Sequence, residues 1–265
     1  ALQPYTVPMM LIDTHCHLDA PEFDRERDAL VDAARRTGVT DIVVPAVPVA
    51  NFAATRDMRD RYGCLPAFGL HPIYTDQHLD SDLEQLDEWL TREKPVAVGE
   101  IGLDFYLEQI DPARQERLFA EQLRLAKKHD LPVLLHVRRS ADRVLKYLRR
   151  FGIERGIAHA FNGSEEQARA YLRQGLKLGF GGAMTYSGSL RIRRLAATLP
   201  LDALVLETDA PDIPPAWAAR SEPADVARYA SELASLRQLD SEQVAEATSA
   251  NARAALGLPL MPRAN

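Results

Sequence analysis

Eight short apolar runs recur along this chain, each followed by an amphipathic stretch. The runs are Met9–Asp13, Asp41–Ala46, Leu65–Phe68, Val96–Gly99, Val133–Val137, Ile157–Phe161, Lys177–Gly181 and Ala203–Glu207. They are rich in Val, Ile and Leu and mostly continuous rather than alternating, the pattern of parallel strands covered on both faces. Leu118, Phe119, Gln122, Leu123 and Ala126 share one helical stripe, and Val144, Tyr147, Leu148 and Phe151 another, with Gly152 placed to stop the second helix. Helices are also predicted over Leu79–Arg92, Glu165–Arg173, Leu190–Thr198, Glu222–Arg237 and Ser241–Leu256, with Ser241 as the N-cap of the last and no capping box there. Eight strand-plus-helix units predict a (β/α)8 TIM barrel. A doubly wound open sheet is the second architecture, and the lack of a G-x-G-x-x-G loop opening the first helix counts against it. With no internal repeat and no linker-like stretch, one domain is expected over residues 9–258. Residues 1–8 carry no pattern and are expected to be a disordered or foreign tail, with Met9 or Met10 as the natural start.

The chain is 46% hydrophobic and 26% charged, which excludes disordered and low-complexity classes. No apolar run approaches the roughly 18 residues of a membrane span, and no signal-peptide pattern is present. Cys16 and Cys64 cannot make a disulfide framework, so a cytoplasmic protein without a membrane partner is expected. The net charge of −6 argues against a uniformly basic nucleic-acid binder. Residues 138–194 nevertheless hold 13 Lys and Arg against 4 Asp and Glu, leaving −15 on the remainder. Most of these cations read as solvated outer faces of helices. Arg138, Arg139 and Arg191 are the ones placed near the rim.

Six metal-ligand residue types fall at the C-terminal ends of the predicted strands, where barrel active sites form. His15 and His17 close strand one, and period-two geometry puts both imidazoles on one side with Cys16 on the other. Glu100 ends strand four, His136 strand five and His159 strand six; Asp209 follows strand eight. Burying such groups unpaired costs several kcal/mol per charge as an order of magnitude, so metal is the economical account. Four imidazoles and two carboxylates suit two divalent ions. A shared Glu100 would hold the ions roughly 3.5–4 Å apart, a spacing that clamps displacement at phosphorus. His78 and His129 read instead as hydrogen-bonded helix residues, and Cys64 and Trp89 as core.

Six segments together resemble the TatD family of metal-dependent deoxyribonucleases, within the amidohydrolase-like barrels. They are Ile12–Asp19, Gly69-Leu70-His71-Pro72, Gly99–Asp104, His136-Val137-Arg138, His159–Gly163 and Glu207–Pro211, in family order over about 200 residues. The resemblance implies that His15, His17 and Asp209 hold one ion, that Glu100 bridges, and that His136 and His159 hold the other. It implies substrate contacts from His71, Arg138 and Asn162. Val137 and Ala160 stand where the family often has Cys, and Ser221 where Asn is usual, which puts any substrate contact of that Asn in doubt.

The expected chemistry is hydrolysis of a DNA phosphodiester by a metal-bound hydroxide, with Asp209 accepting or orienting the proton. His71 or Arg138 would stabilise phosphoryl charge, and Glu100 and His71 complete the catalytic set. The resemblance implies single-stranded DNA degraded from a 3′ end, without an obligate protein partner. Imidazole favours Zn, Ni, Co or Mn, and carboxylate admits Mg or Mn. Phe105 and Tyr106 could stack bases, or simply pack the rim. Hydrolysis of an amide or ester, such as a cyclic amide or an aminoacyl-tRNA linkage, is the alternative; Glu100 rather than a bridging Lys on strand four favours the phosphodiester. A non-catalytic, metal-stabilised nucleic-acid-binding barrel is a third reading, and the intact ligand set together with His71 argues against it.

Overall fold

A computed structural model describes residues 10–259 of the chain; the expected tail over residues 1–8 lies outside them. Eight parallel strands form one sheet in sequence order: β1 (Leu11–Asp13), β2 (Val39–Pro45), β3 (Leu65–Phe68), β4 (Ala97–Asp104), β5 (Val133–Arg138), β6 (Gly156–Ala158), β7 (Leu176–Phe180) and β8 (Leu204–Leu206). The intervening helices are α1 (Arg27–Arg36), α2 (Phe52–Tyr62), α3 (Asp82–Glu93), α4 (Pro112–Lys128), α5 (Ala141–Phe151), α6 (Glu165–Arg173), α7 (Leu190–Thr198) and α8 (Asp225–Arg237), with α9 (Ser241–Leu256) at the end. The seam between β8 and β1 is drawn shut by Thr14 N–H donating to Leu206 O at 3.1 Å and by a bridge pairing Cys16 with Ala210. This is the predicted (β/α)8 barrel. No helix among the described residues is long and apolar enough to cross a membrane.

Two apolar layers build it. The larger lies between sheet and helices, where Phe23, Phe52, Phe68, Phe119 and Tyr171 are fully buried. The smaller draws Ile12, Val43, Ala67, Ala97, Leu134, Ile157 and Val205 from seven strands against Ala252, Ala255 and Leu256 of α9. Alternation along a strand sends every second side chain inward, so positions two or four beyond this layer point inward nearer the other mouth. Those positions include His71, His136, His159, Glu207 and Asp209. Helix α9 thus plugs one end and leaves the other for chemistry.

Several local expectations need correction. Glu100 does not end strand four, because β4 runs on to Asp104. Its pairing with β5 slips between Val98 and Ile101, and the extra residue gives Glu100 the inward slot without ending the strand. Likewise β5 continues two residues past His136, whereas β1 stops at Asp13, so His15 and His17 lie beyond it. Strand β6 ends at Ala158, which puts His159 one residue beyond it. His78 lies in the loop before α3, not on a helix; it is buried, with Nε2 2.8 Å from His71 O. The N-cap of α9 is Asp240 rather than Ser241, and a capping box does form: Asp240 N–H donates to Gln243 Oε1 at 3.2 Å. His129 follows α4 and meets Asp87 Oδ1 at 2.6 Å. Cys64 is buried and Trp89 half-buried, the latter packed against Phe52 and Phe68.

Candidate metal centre

Glu100 lies at the middle of the open mouth, 1% exposed. Its Oε1 meets His71 Nε2 at 3.0 Å, His136 Nδ1 at 3.0 Å and His159 Nε2 at 3.3 Å. Its Oε2 meets His15 Nε2 at 3.0 Å and His17 Nε2 at 3.6 Å. Asp209 Oδ1 closes the far side, 3.5 Å from His15 Nε2 and 3.6 Å from His17 Nε2. Residues from strands distant in sequence thus share one carboxylate. Three triads have ligand atoms within 4.8 Å of one another: His15, His159 and Asp209; His15, His17 and Glu100; and His71, Glu100 and His136.

Hydrogen bonds behind the rings decide which nitrogen each presents. His136 turns Nε2 to Asp104 Oδ2 at 2.9 Å. A buried carboxylate accepts there, so Nε2 carries a proton and Nδ1 is the atom turned to Glu100; against burial, the two carboxylates favour the charged ring, and release of the Nδ1 proton gives the lone pair a ligand needs. His71 is the opposite case. Its Nδ1 accepts from Ile73 N–H at 3.1 Å, so the neutral ring carries its proton on Nε2 and offers the centre a donor. Although His71 falls in a ligand-like triad, its tautomer suits hydrogen bonding to an anion. His159 presents Nε2 to Glu100 while its Nδ1 lies 3.5 Å from Glu207 Oε1.

Burial and charge set the ionisation. Burial alone would raise Glu100, but the imidazoles of His71, His15 and His159 outweigh it and hold the carboxyl well below its ordinary range. Burial lowers His15 to about 3 and His71 to about 4, keeping both neutral. His159 is displaced well upward: burial opposes its charge, but Glu100 and Asp209 overcome it. Burial raises Asp209 to about 6. A buried anion ringed by imidazoles, two of them (His15 and His71) held neutral, with a second carboxylate held at the edge of ionisation, is a donor set that fits divalent cations. Orphaned buried atoms adjoin it: His15 Nδ1, His17 Nδ1, His159 Nδ1 and Glu207 Oε2.

The supporting residues went unassigned in the sequence. Asp104 and Glu207 occupy motif segments, and the available signal was an acid within an otherwise apolar run. Asp13 is fully buried and accepts from Thr208 N–H at 2.9 Å and Thr208 Oγ1 at 2.6 Å. It ties the β1 end to the segment bearing Asp209, whose own N–H donates to His15 O at 2.7 Å. Gln122 of α4 grips Leu70, accepting from its N–H at 2.6 Å and donating to its O at 3.2 Å, which fixes the loop before His71. Two glycines permit the close approaches. At Gly102 (φ +153°) a Cβ would fall 1.9 Å from His136 O, and at Gly179 one would fall 2.0 Å from Glu207 Oε2.

Of the expected substrate contacts, His71 faces the centre and Arg138 is exposed on the lip beside it. Asn162 is exposed, its Oδ1 accepting from Arg191 Nη2 at 2.7 Å. Ser221 is fully buried, its hydroxyl donating to Thr208 O at 3.1 Å; it braces the Asp209 segment from behind.

A barrel with this constellation at one mouth defines a metal-dependent hydrolase, and comparison with known proteins narrows the class. The sequence model of the family described as TatD related DNase matches residues 12–257. The chain belongs to that family. It is 41% identical to the uncharacterized metal-dependent hydrolase YjjV of Escherichia coli (strain K12) over 254 residues, covering 94% of this chain and 98% of that protein. It is 32% identical to the 3′-5′ ssDNA/RNA exonuclease TatD of Cronobacter sakazakii over 252 residues, 91% and 96% respectively. The crystal structure of YJJV, a TatD homologue from Escherichia coli K12, superposes with a TM-score of 0.91 at 39% identity, covering 96% of this chain and all of that one.

Proposed function

We propose that this protein hydrolyses phosphodiester bonds in DNA, working from the 3′ end of single strands with two divalent ions. The observation that carries the reading is Glu100, whose two oxygens each face separate imidazoles at 3.0 Å. In this reading His15, His17 and Asp209 would hold one ion, His136 and His159 the other, and Glu100 would serve both. Bound there, the ions supply Lewis-acid polarisation of the phosphoryl group and acidification of water.

The chain's own groups do the rest. Asp209, raised to about 6 by burial, accepts or orients the proton of a water attacking in line with the leaving oxygen. His71 donates its Nε2–H to a phosphoryl oxygen as negative charge grows there. Its tautomer is fixed in advance by Ile73, so the donor needs no reorganisation. Arg138 and Asn162 contact the strand at the rim. The names of the relatives support nucleic acid as substrate, and Glu100 on β4 supports a phosphodiester over a cyclic amide.

The test is cleavage of single-stranded oligonucleotides labelled at either end, with and without chelator, beside a charged tRNA and a cyclic amide. Stepwise shortening from the 3′ end that stops in chelator is expected. Glu100→Gln should abolish it at saturating metal. Undiminished cleavage by that variant, or turnover of the amide or aminoacyl ester alone, overturns the proposal.

A further inference from the structure

Beside the centre, on the lip where β4 and β5 end, Tyr106 stands 46% exposed. Two guanidinium groups lie against its ring, Arg138 Cζ at 3.9 Å from the centroid and Arg139 Cζ at 4.6 Å. Four other cations of the same basic stretch are paired with carboxylates. Arg143 takes Glu116, Arg155 takes Asp130, Arg169 takes Glu165 and Arg193 takes Glu232. Among the described residues neither Arg138 nor Arg139 pairs with a carboxylate. Asp104, the acid beside them, is committed to His136 Nε2 through Oδ2 and to Tyr106 N–H through Oδ1, at 2.9 Å each.

This arrangement has a cost and a use. Two like charges held against one ring repel, and an exposed cation–π contact returns only about 0.5–1 kcal/mol. Contact with one ring, however, holds both guanidinium groups at a fixed place, and such forks suit the bidentate geometry of phosphate. The lip is also rigidly tied to the centre. Phe105 N–H donates to Arg138 O at 2.9 Å, and Asp104, which orients His136, also fixes the Tyr106 backbone. A cavity of about 380 Å³ under the lip is lined by Glu108 and Glu116 as well as Phe105 and Leu107. Its carboxylates repel phosphate, which leaves the outer face of the stack for the anion.

We infer that Arg138, Arg139 and Tyr106 form a clamp for a phosphodiester neighbouring the one cleaved, so that the protein grips a polyanionic strand through its backbone rather than an isolated ester. The inference rests on the nucleic-acid reading of the centre and adds a second anchoring point to it.

The test reads binding without turnover: fluorescence anisotropy of a labelled single-stranded oligothymidylate against the full-length chain in chelator, at several salt concentrations. Each single-strand phosphate contact contributes a log–log salt slope of about −0.7. Arg139→Ala should flatten the slope by that amount. Between 50 and 200 mM salt the wild type should therefore lose about 2.5-fold more affinity than the variant. R138A/R139A together should flatten it by about 1.4. Tyr106→Leu should weaken binding yet keep the slope, because both charges remain. A strand of the same sequence with uncharged methylphosphonate linkages should bind without salt dependence and ignore all three changes. An unaltered slope in the double variant, confirmed as folded by circular dichroism, overturns the clamp. Normal strand binding without cleavage in metal would instead refute the nuclease reading and leave the clamp standing.

Discussion

Replacing Asp104 by Asn tests whether a ring's tautomer, rather than its mere presence, makes the centre. Asp104 is 1% exposed, and its two oxygens serve Tyr106 N–H and His136 Nε2 at 2.9 Å each. Asn fills the same volume. The Tyr106 amide still needs an acceptor, so the Asn carbonyl stays there and the NH2 turns toward His136. Facing a donor, Nε2 must give up its proton, which moves to Nδ1. That atom lies 3.0 Å from Glu100 Oε1, so the lone pair that a metal would take is lost. Removing such a partner typically costs 10–100-fold in metal affinity, about 1.4–2.7 kcal/mol. Asp104→Ala should cost less than Asp104→Asn, because the ring is then free to choose its tautomer. Titration of zinc against a chromogenic chelator gives stoichiometry and affinity together. Of the two ions proposed above, one should weaken in the Asn variant and the other hold. Wild-type affinity for both, or a larger loss in the Ala variant, would refute the reasoning.

Three further outcomes follow from the geometry. Gly179→Ala places a methyl 2.0 Å from Glu207 Oε2 and should destabilise the fold by about 1–3 kcal/mol, read as a lower midpoint in urea with unchanged m-value. Asp13→Ala strands the buried Thr208 N–H and leaves its hydroxyl only the longer contact to His15 O; at about 1–3 kcal/mol for an unsatisfied group, thermal unfolding should fall by several degrees, and an unchanged Tm would show that the seam does not depend on this carboxylate. Glu116 is held below its ordinary pKa, first by the Arg143 guanidinium and also by Tyr147. A depressed carboxylate contributes stability above its unfolded pKa and loses it as pH falls through the folded one. Glu116→Gln should therefore shrink the drop in urea midpoint between pH 6 and pH 3, and an equally steep drop would remove Glu116 from the acid limb.

Much of the fold was legible because its signals are local. Continuous apolar runs with intervening helical stripes read directly as covered parallel strands, and the ladder in strict sequence order followed. Helices α1 and α2 were not located individually; they precede the clearer stripes and lack a Gly or Pro at their starts. Strand ends were less legible. Glu100 read as a terminus because it closes the apolar run Val96–Gly99, yet β4 continues to Asp104, since the slipped register against β5 absorbs the extra residue. Ser241 looked like a cap by residue type, but Asp240 takes the position, its N–H donating to the Gln243 side chain.

Period and order along the chain were enough to place acids and imidazoles toward one mouth, because alternation in a strand depends only on neighbours in sequence. Which nitrogen each ring offers was decided by tertiary contact. For His71 the partner is Ile73, only two residues on, but Asp104 of β4 fixes His136 of β5, and Glu207 after β8 lies behind His159 after β6. Hydrogen bonds between strands far apart in the chain leave no periodic trace in it, so a ligand and a proton donor look alike until the barrel closes around them.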